Sequence, residues 1–458
     1  MHIERSGTSQ RSLGLFKLIM ITVISVDSIR NIPISAQYGF SLITFYAIAA
    51  LTFFLPLILI TSRFASEYPN TGGSYLWIEA AFGKKMGFVS IWLQWVYQLI
   101  WYPTIFAFIT TTIAALIHPA WETNNWFILL LSLLLFWLMT GVAAFGIKVT
   151  SWVSSIGAIV GTLLPMGFII VLAVYWLSTH HASATPLNLS GLIPTQSNLL
   201  NLGFFANVLF SLLGLEVAAM HAGDVKTPEK TYKRAMSIAG VLILISLVLS
   251  SLAMCVVIAP GQIGLLNGLM DAFRVFFNSY DLAWMIPLMG LAIILGSLGI
   301  AFSWIIGLAR GLQVACEASN LSPRLQSLNR HQMPHFILII QGIIYSLLVT
   351  VFLIFPNVNS SYWLLSALTS QFALAYYVLL FAAAIKLRKQ TGSVTTQIVL
   401  PILAIITSII GISVGFLPPS SIPGNGVLKY ELLIISGLIL FCLPLLFIFK
   451  RMRHGVNP

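Results

Sequence analysis

Long apolar runs separated by short polar breaks follow one another along almost all of the 458 residues. About 20 consecutive apolar residues are enough for a helix to cross a bilayer. The runs therefore predict twelve membrane spans, numbered in chain order, over residues 13–36, 39–62, 86–117, 126–145, 150–177, 199–221, 235–259, 283–315, 336–355, 362–387, 396–417 and 430–449. No polar stretch is long enough for a separate soluble domain, so we expect one transmembrane domain over residues 1–458.

The composition excludes an ordinary soluble protein. Hydrophobic residues make up 58% of the chain and charged residues 8%, whereas soluble domains carry roughly 25% charged residues. The sequence thus predicts an all-α polytopic membrane protein. Asp27 and Arg30 interrupt the first apolar run, which favours a membrane span over a cleaved signal peptide.

Basic residues are distributed unevenly between the two sides of the predicted membrane. With the N-terminus inside, twenty of the 23 Lys and Arg residues fall in inner segments, and the outer loops keep only Arg274 and Lys429. This bias follows the positive-inside rule and predicts that both termini are cytoplasmic. We expect a multi-pass protein of the cell inner membrane, whose net charge of +11 reflects topology rather than nucleic-acid binding.

Two of the predicted spans are interrupted by polar residues, glycine or proline. Span 1 is broken over residues 25–33 and span 6 over residues 213–216. Inverted-repeat transporters have two such spans at corresponding positions of their halves. The pattern predicts a five-plus-five inverted repeat, with a first repeat over about 13–178, a second over about 199–388, and two appended helices over about 396–449.

Asp27 and Arg30 stand three residues apart inside span 1, where charged side chains usually face a cavity or each other. One interpretation is a local ion pair that holds the helix break. The other is that Arg30 faces an anionic group of a substrate. Asn31 and Pro33 resemble the start of a second half-helix, whose free N–H groups would bind a carboxylate; a simple proline kink is the alternative.

Glu216 is the single acidic residue of predicted span 6 and follows Gly214 by two positions. Glycine allows the backbone to unwind, and the freed groups can coordinate a ligand. A carboxylate in a desolvated cavity can exchange protons near neutral pH, so Glu216 is predicted to bind a substrate ammonium group or to couple protonation to transport. A structural hydrogen bond to a neighbouring helix is the alternative.

Aromatic residues are numerous in the spans, and most are expected at the lipid interface or in packing. Phe210 and Trp304 are candidates for lining the substrate cavity. Cys255, Cys316 and Cys442 are scattered and have neither disulfide nor metal-ligand spacing. The sequence also contains no HExxH, GxSxG or Walker motif. We therefore expect no metal, no cofactor and no enzymatic activity.

Several segments together resemble the amino acid/polyamine/organocation transporter superfamily. These are Pro69-Asn70-Thr71-Gly72-Gly73-Ser74-Tyr75 with Ala80-Ala81-Phe82-Gly83, Gly214-Leu215-Glu216 with Asp224-Val225-Lys226-Thr227-Pro228, and Ser303-Trp304-Ile305-Ile306-Gly307 with Ala309-Arg310-Gly311. A fourth segment is similar to the bacterial glutamate/GABA antiporter group: Gly415-Phe416-Leu417-Pro418-Pro419 with Tyr430-Glu431-Leu432-Leu433.

The resemblance implies the five-plus-five fold, with substrate held between spans 1 and 6. It further implies that Glu216 senses substrate or protons and that Phe210 covers the substrate. Two departures from the family pattern limit which of its site residues can be assigned to this sequence. Residues 27–33 stand where many members have a glycine-rich turn, and only residues 450–458 follow span 12, so pH gating by a C-terminal plug is not expected.

The expected function is secondary amino acid transport by alternating access, with a glutamate/GABA-like antiporter as the first interpretation. Partners would be an amino acid substrate, the lipid bilayer and, if Glu216 titrates, protons. The alternatives are a cationic amino acid or polyamine exchanger, a proton-coupled symporter, and an amino acid sensor that binds without transport. The sequence does not indicate an oligomeric state.

Overall fold

The computed structural model describes residues 14–67, 74–146, 159–216, 228–319, 321–355, 357–389, 393–418 and 424–454. Within these ranges the regular structure is helical throughout, with no strand, as the sequence predicted. Ten helices in the described chain are long and apolar enough to cross a membrane: Gly39–Glu67, Lys84–Ile117, Asn125–Ala144, Ile159–Ser178, Thr231–Val257, Met285–Ala318, His335–Leu353, Val358–Lys386, Thr395–Val414 and Val427–Lys450.

The predicted count of twelve continuous helices is thus not confirmed as such. The ten helices correspond to predicted spans 2–5 and 7–12. The remaining two are the spans predicted to be interrupted. Within the described residues, span 1 consists of the helices Leu15–Val26 and Ile32–Ala36, and span 6 of the helices Gln196–Leu200 and Gly203–Phe210. Residues 150–158 of predicted span 5 and 217–221 of predicted span 6 lie outside the described residues.

The interrupted spans pack among the continuous helices. Span 7 packs against spans 1 and 2, and it also contacts span 5. Span 3 packs against spans 4 and 8, and span 9 contacts spans 3 and 4. Span 10 lies against span 3, span 11 and the first part of span 6. Span 7 thus covers span 1, and span 10 covers the first part of span 6.

Burial separates the central helices from those at the periphery. In the most apolar 18 residues of span 3, 83% are buried, and in span 10 the fraction is 72%, whereas in span 12 it is 11%. Spans 3 and 10 also have the lowest mean hydropathy of the ten helices. Helices that do not face lipid can carry polar side chains toward an interior site, so these two are suited to line one.

Glycine permits a close contact between spans 5 and 8. A Cβ atom added to Gly161 would stand within 2.4 Å of the Ala292 carbonyl oxygen and even closer to the Cα atom of Gly296. Small residues at such positions allow two helix backbones to approach within van der Waals distance, which is the main source of helix association in lipid.

A short amphipathic helix, Gly268–Ser279, lies between spans 7 and 8 on the predicted outer side. Arg274 fixes it to the end of span 3: its Nη2 donates to the carbonyl oxygen of Ala115 at 2.8 Å and to Oε1 of Glu122 at 2.7 Å. Its Nη1 donates to Oδ1 of Asp271 at 2.8 Å. One guanidinium therefore links this helix to two other segments.

Candidate functional site

The helix of span 1 ends at Val26, and the next two residues, Asp27 and Ser28, are extended. A 3₁₀ turn, Ile29–Asn31, and a short helix, Ile32–Ala36, follow with proline in the first turn. Proline fits there because the first turn of a helix needs no donor from it. The predicted interruption of span 1 over residues 25–33 is confirmed.

Span 6 breaks after the helix Gly203–Phe210. Gly214 has φ +111°, in the left-handed region that favours glycine. A Cβ atom on Gly214 would stand 2.9 Å from the carbonyl oxygen of Ser25. The interruption of span 6 is confirmed at this point, and the two broken spans approach each other backbone to backbone.

A cavity of about 60 Å³ lies between these two breaks. It contains six of the seven residues predicted from the sequence to bind substrate: Asp27, Arg30, Asn31, Phe210, Gly214 and Trp304. Spans 3 and 8 complete it, with Tyr97, Gln98, Trp101 and Ile300. Glu216, the seventh predicted residue, is buried beside the cavity rather than in its lining.

Arg30 is buried, with 1% of its surface exposed. Its Nη1 donates to Thr104 Oγ1 at 2.9 Å and to the Tyr362 hydroxyl at 3.1 Å. Its Cζ lies 5.7 to 5.8 Å from the ring centroids of Trp101, Phe210 and Tyr362. The cation is therefore held by hydroxyl oxygens and ring faces, and no carboxylate of the described residues forms an ion pair with it.

Asp27, three residues before Arg30, is also buried but has a different partner. Its Oδ2 accepts a hydrogen bond from the hydroxyl of Ser246 on span 7. Its Oδ1 has no hydrogen-bond partner in the described part of the protein, and the same holds for Oδ1 of Asn31. Of the two interpretations of Asp27 and Arg30, the local ion pair is absent, and two acceptor oxygens remain unpaired at the cavity.

Glu216 is joined to the break of span 6 through Tyr377 of span 10. The Tyr377 hydroxyl accepts the N–H of Gly214 at 2.9 Å and donates to Glu216 Oε2 at 2.6 Å. The other carboxylate oxygen, Oε1, has no partner among the described residues. This arrangement satisfies a backbone donor that the unwound glycine would otherwise leave unpaired.

A larger cavity of about 900 Å³ lies toward the predicted outer side, between the end of span 1, the start of span 6 and the loops before spans 6, 8 and 10. Within the described residues its lining has no charged side chain and combines apolar residues, such as Phe40 and Phe204, with seven side-chain amides: Gln37, Asn188, Asn198, Asn201, Gln262, Asn357 and Asn359. It is suited to hold water and to give a substrate access to the central cavity from the outer side.

Sequence reasoning missed four residues that hold the site together: Thr104, Ser246, Tyr362 and Tyr377. Each is a hydroxyl side chain inside a predicted span, and three of the four lie in the low-hydropathy spans 3 and 10. That lower hydropathy was the available signal. Of the segments used for the family resemblance, residues 69–73, 224–227 and 419 lie outside the described residues.

Two interrupted helices around a central cavity, within an all-α bundle, are the features of the five-plus-five inverted-repeat fold that secondary transporters use. The fold is similar to the crystal structure of MhsT in complex with L-phenylalanine, with a TM-score of 0.56 over 89% of this chain and 99% of that one, at 15% identity. The sequence model of the amino acid permease family matches residues 13–441. The chain belongs to this family of membrane transporters, as the resemblance in its motifs predicted.

Two relatives match almost the full length of the chain. An uncharacterized transporter of Legionella pneumophila is 43% identical over 97% of this chain and 98% of its own. A glutamate/gamma-aminobutyrate antiporter of Lactococcus lactis is 25% identical over 95% of this chain and 90% of its own. A probable agmatine/putrescine antiporter of the same species is 25% identical over 88% of each chain.

Proposed function

We propose that this permease exchanges amino acids across the cytoplasmic membrane by alternating access and that it accepts an acidic amino acid such as glutamate. Both termini would be cytoplasmic, as the distribution of basic residues predicts. The observation that supports the acidic substrate is Arg30, a buried cation beside the cavity whose hydrogen-bond acceptors are neutral hydroxyl groups.

A buried charge without a counter-ion is unfavourable by several kcal/mol. The hydroxyl groups of Thr104 and Tyr362 and the surrounding rings offset part of this cost. A substrate carboxylate would offset more, because it adds the attraction of an opposite charge to the hydrogen bond. The Thr104 hydroxyl is oriented to accept from Arg30. Its own proton is donated to the Trp101 carbonyl oxygen at 2.6 Å, which leaves its lone pairs for the guanidinium.

The remaining groups of the cavity fit an amino acid. The unpaired Oδ1 of Asp27 is an acceptor for the substrate ammonium group, and the unpaired Oδ1 of Asn31 is a second acceptor. Phe210 and Trp304 would pack on the carbon chain. Glu216 lies two residues after Gly214 and is the candidate for proton coupling, through Tyr377 and the N–H of Gly214.

The cavity volume agrees with a closed step of an alternating-access cycle. At roughly 30 Å³ per water molecule, 60 Å³ accommodates about two waters and no amino acid. Substrate would therefore enter only after spans 1 and 6 move apart from spans 3 and 8.

Labelled glutamate uptake into proteoliposomes tests the proposal. We expect uptake when the vesicles are preloaded with unlabelled glutamate or GABA, and little uptake into empty vesicles. Uptake into empty vesicles driven by a proton gradient would instead indicate a symporter. Saturable binding without accumulation under either condition would indicate a sensor and overturn the proposal.

The Arg30→Gln variant tests the residue on which the substrate class depends. We expect loss of glutamate exchange by about tenfold or more, because a hydrogen bond to a charged group contributes about 1.5–3 kcal/mol. Arg324→Gln, at an exposed position outside the cavity, is the matched control. Unchanged glutamate uptake and selectivity in Arg30→Gln would make Arg30 purely structural.

A polyamine or cationic amino acid exchanger is the second candidate, favoured by the relative named as a probable agmatine/putrescine antiporter. Arg30 argues against it, because a cationic side chain would meet an existing positive charge. Labelled agmatine and putrescine in the same preloaded vesicles distinguish the two: exchange of either, without glutamate exchange, would favour the second candidate.

A further inference from the structure

A separate cavity of about 310 Å³ lies at one end of the bundle, where spans 2 and 10 end and spans 7 and 11 begin. It shares no lining residue with the central cavity. Its lining combines charged, hydroxyl and apolar side chains: Leu59, Ile60, Ser62, Arg63, Ser66, Glu67, Lys233, Lys389, Thr396 and Gln397. The proposed transport cycle uses none of them.

The charges of this pocket favour an anion. Three of its side chains are cationic, Arg63, Lys233 and Lys389, and one is a carboxylate, Glu67, which leaves a formal excess of two positive charges. Lys389 Nζ lies 3.1 Å from Glu67 Oε1; 62% of the lysine side chain and 20% of the glutamate side chain are exposed. An exposed pair of this kind contributes little, so Lys389 remains available to a second anion.

A buried hydroxyl group adds an independent observation. Ser62 is 6% exposed, it lines the pocket, and its Oγ has no hydrogen-bond partner within the described residues. A buried polar atom is normally paired. A phosphate oxygen in the pocket would accept a hydrogen bond from this hydroxyl while lying among the three cations.

The surroundings of the pocket favour a phosphate that belongs to a lipid. Leu59 and Ile60 form an apolar wall, and beyond the pocket span 2 contacts the helix Leu400–Val414 of span 11. Both helices expose rows of large apolar side chains beyond the pocket, Ile48, Leu51 and Leu55 on span 2 and Val399, Ile402 and Ile406 on span 11. Acyl chains can lie along these rows while the headgroup occupies the pocket.

We propose that this pocket binds the phosphate of an anionic phospholipid. By the predicted orientation the lipid belongs to the cytoplasmic leaflet, where basic pockets between spans are suited to anionic headgroups. The lipid would bridge spans 2, 7, 10 and 11, and so would connect helices from both repeats and the appended pair.

Native mass spectrometry of the full-length protein, titrated with phosphatidylglycerol or phosphatidylcholine of the same acyl chains, tests the proposal. We expect tighter binding of phosphatidylglycerol. Lys233→Gln and Lys389→Gln should each weaken that binding about fivefold, from about 1 kcal/mol per basic side chain. Glu67→Gln should tighten it, because it removes the negative charge beside Lys389.

Lys84→Gln and Lys85→Gln are the matched controls, since both lysines are exposed, lie on the same predicted side and are absent from the pocket. Ser62→Ala should weaken binding without any change in charge. Equal binding of the two lipids, or equal losses in the pocket and control variants, would overturn the proposal. Glycerol phosphate is the third ligand: displacement of phosphatidylglycerol by it at comparable concentration would assign the pocket to soluble phosphates and overturn the lipid assignment.

Discussion

The hydroxyl group of Tyr377 donates to Glu216 at 2.6 Å and at the same time accepts the N–H of Gly214 at 2.9 Å. One side chain of span 10 therefore connects the unwound backbone of span 6 to the acidic residue that follows it. A change in the protonation of Glu216 would alter this contact directly. The pair is thus a means by which a proton could influence the geometry of the break.

Variants of this pair should change the pH dependence of transport. If Glu216 titrates during the cycle, Glu216→Gln should flatten the profile of exchange rate against pH. Tyr377→Phe should retain a profile but move it to higher pH, because the lost hydroxyl is a donor that favours the ionised carboxylate. Tyr175→Phe, at an exposed position in span 5, is the control. An unaltered pH profile in an active Glu216→Gln protein would remove the proton-coupling role.

Asp27 and Arg30 should affect substrate selection differently. Asp27→Asn should raise the KM of acidic and neutral amino acids alike, by about tenfold or more, because it weakens the contact with the ammonium group that all of them share. Arg30→Gln should raise the KM of glutamate and leave that of glutamine nearly unchanged. Competition of unlabelled glutamate and of unlabelled glutamine against labelled substrate measures the two effects separately. Parallel losses in both variants would contradict these separate roles.

Ser246→Ala extends this test, because Ser246 contacts Asp27 and does not line the cavity. As a positioning residue it should produce a smaller rise in KM than Asp27→Asn, with the same pattern across substrates. Ser246→Thr keeps the hydroxyl group and should restore most of the affinity. Failure of the threonine variant to restore it would indicate that packing, and not the hydrogen bond, is what matters at this position.

The contact between spans 5 and 8 should be sensitive to a single methyl group. Gly161→Ala places Cβ against the backbone of Ala292 and Gly296, which cannot move without displacing span 8. We expect destabilisation by about 1–3 kcal/mol, as for other overpacked sites, seen as a lower melting temperature in detergent. Gly167→Ala in the same helix meets no atom within 4 Å and should be neutral or slightly stabilising. Equal melting temperatures in the two variants would contradict the close contact.

The contacts of Arg274 outside the membrane spans predict a pH-dependent stability. Burial raises the pKa of Asp271 above its ordinary range, and repulsion from Glu122 adds to this, while Arg274 opposes it. The folded state therefore holds the proton of Asp271 more tightly than the unfolded state. The contribution of this group to stability falls as the pH rises from about 4 through its folded-state pKa.

Removing the positive charge of Arg274 should enlarge this loss of stability with rising pH. Arg274→Gln leaves the buried Glu122 and the partly exposed Asp271 without a counter-charge, so we expect a loss of about 2 kcal/mol near neutral pH and a smaller loss near pH 4.5. Melting temperatures at the two pH values measure it, with Arg324→Gln as the exposed control. A loss that is equal at both pH values would show that the repulsion between Glu122 and Asp271 has no part in it.

The breaks of spans 1 and 6 were predictable from sequence because their signals are local. Proline, glycine and charged residues within an apolar run mark an interruption wherever the chain folds, and six of the seven predicted residues line one cavity. Their partners were not predictable in the same way. Thr104 is 74 residues from Arg30, Tyr362 is 332 residues from it, and Ser246 is 219 residues from Asp27. Such pairings depend on how the helices pack, which the periodicity of a single span does not encode.

The enclosed position of spans 3 and 10 has a consequence for biosynthesis. Their polar side chains serve the interior only after neighbouring helices surround them, yet each helix first meets the bilayer as it leaves the translocation machinery. Lower hydropathy makes insertion of an isolated helix less favourable. Span 10 can be retained by spans 3 and 6, which precede it in the chain. The partners of span 3 described above, spans 4, 8, 9 and 10, all follow it, so span 3 is enclosed only after those later helices have been inserted.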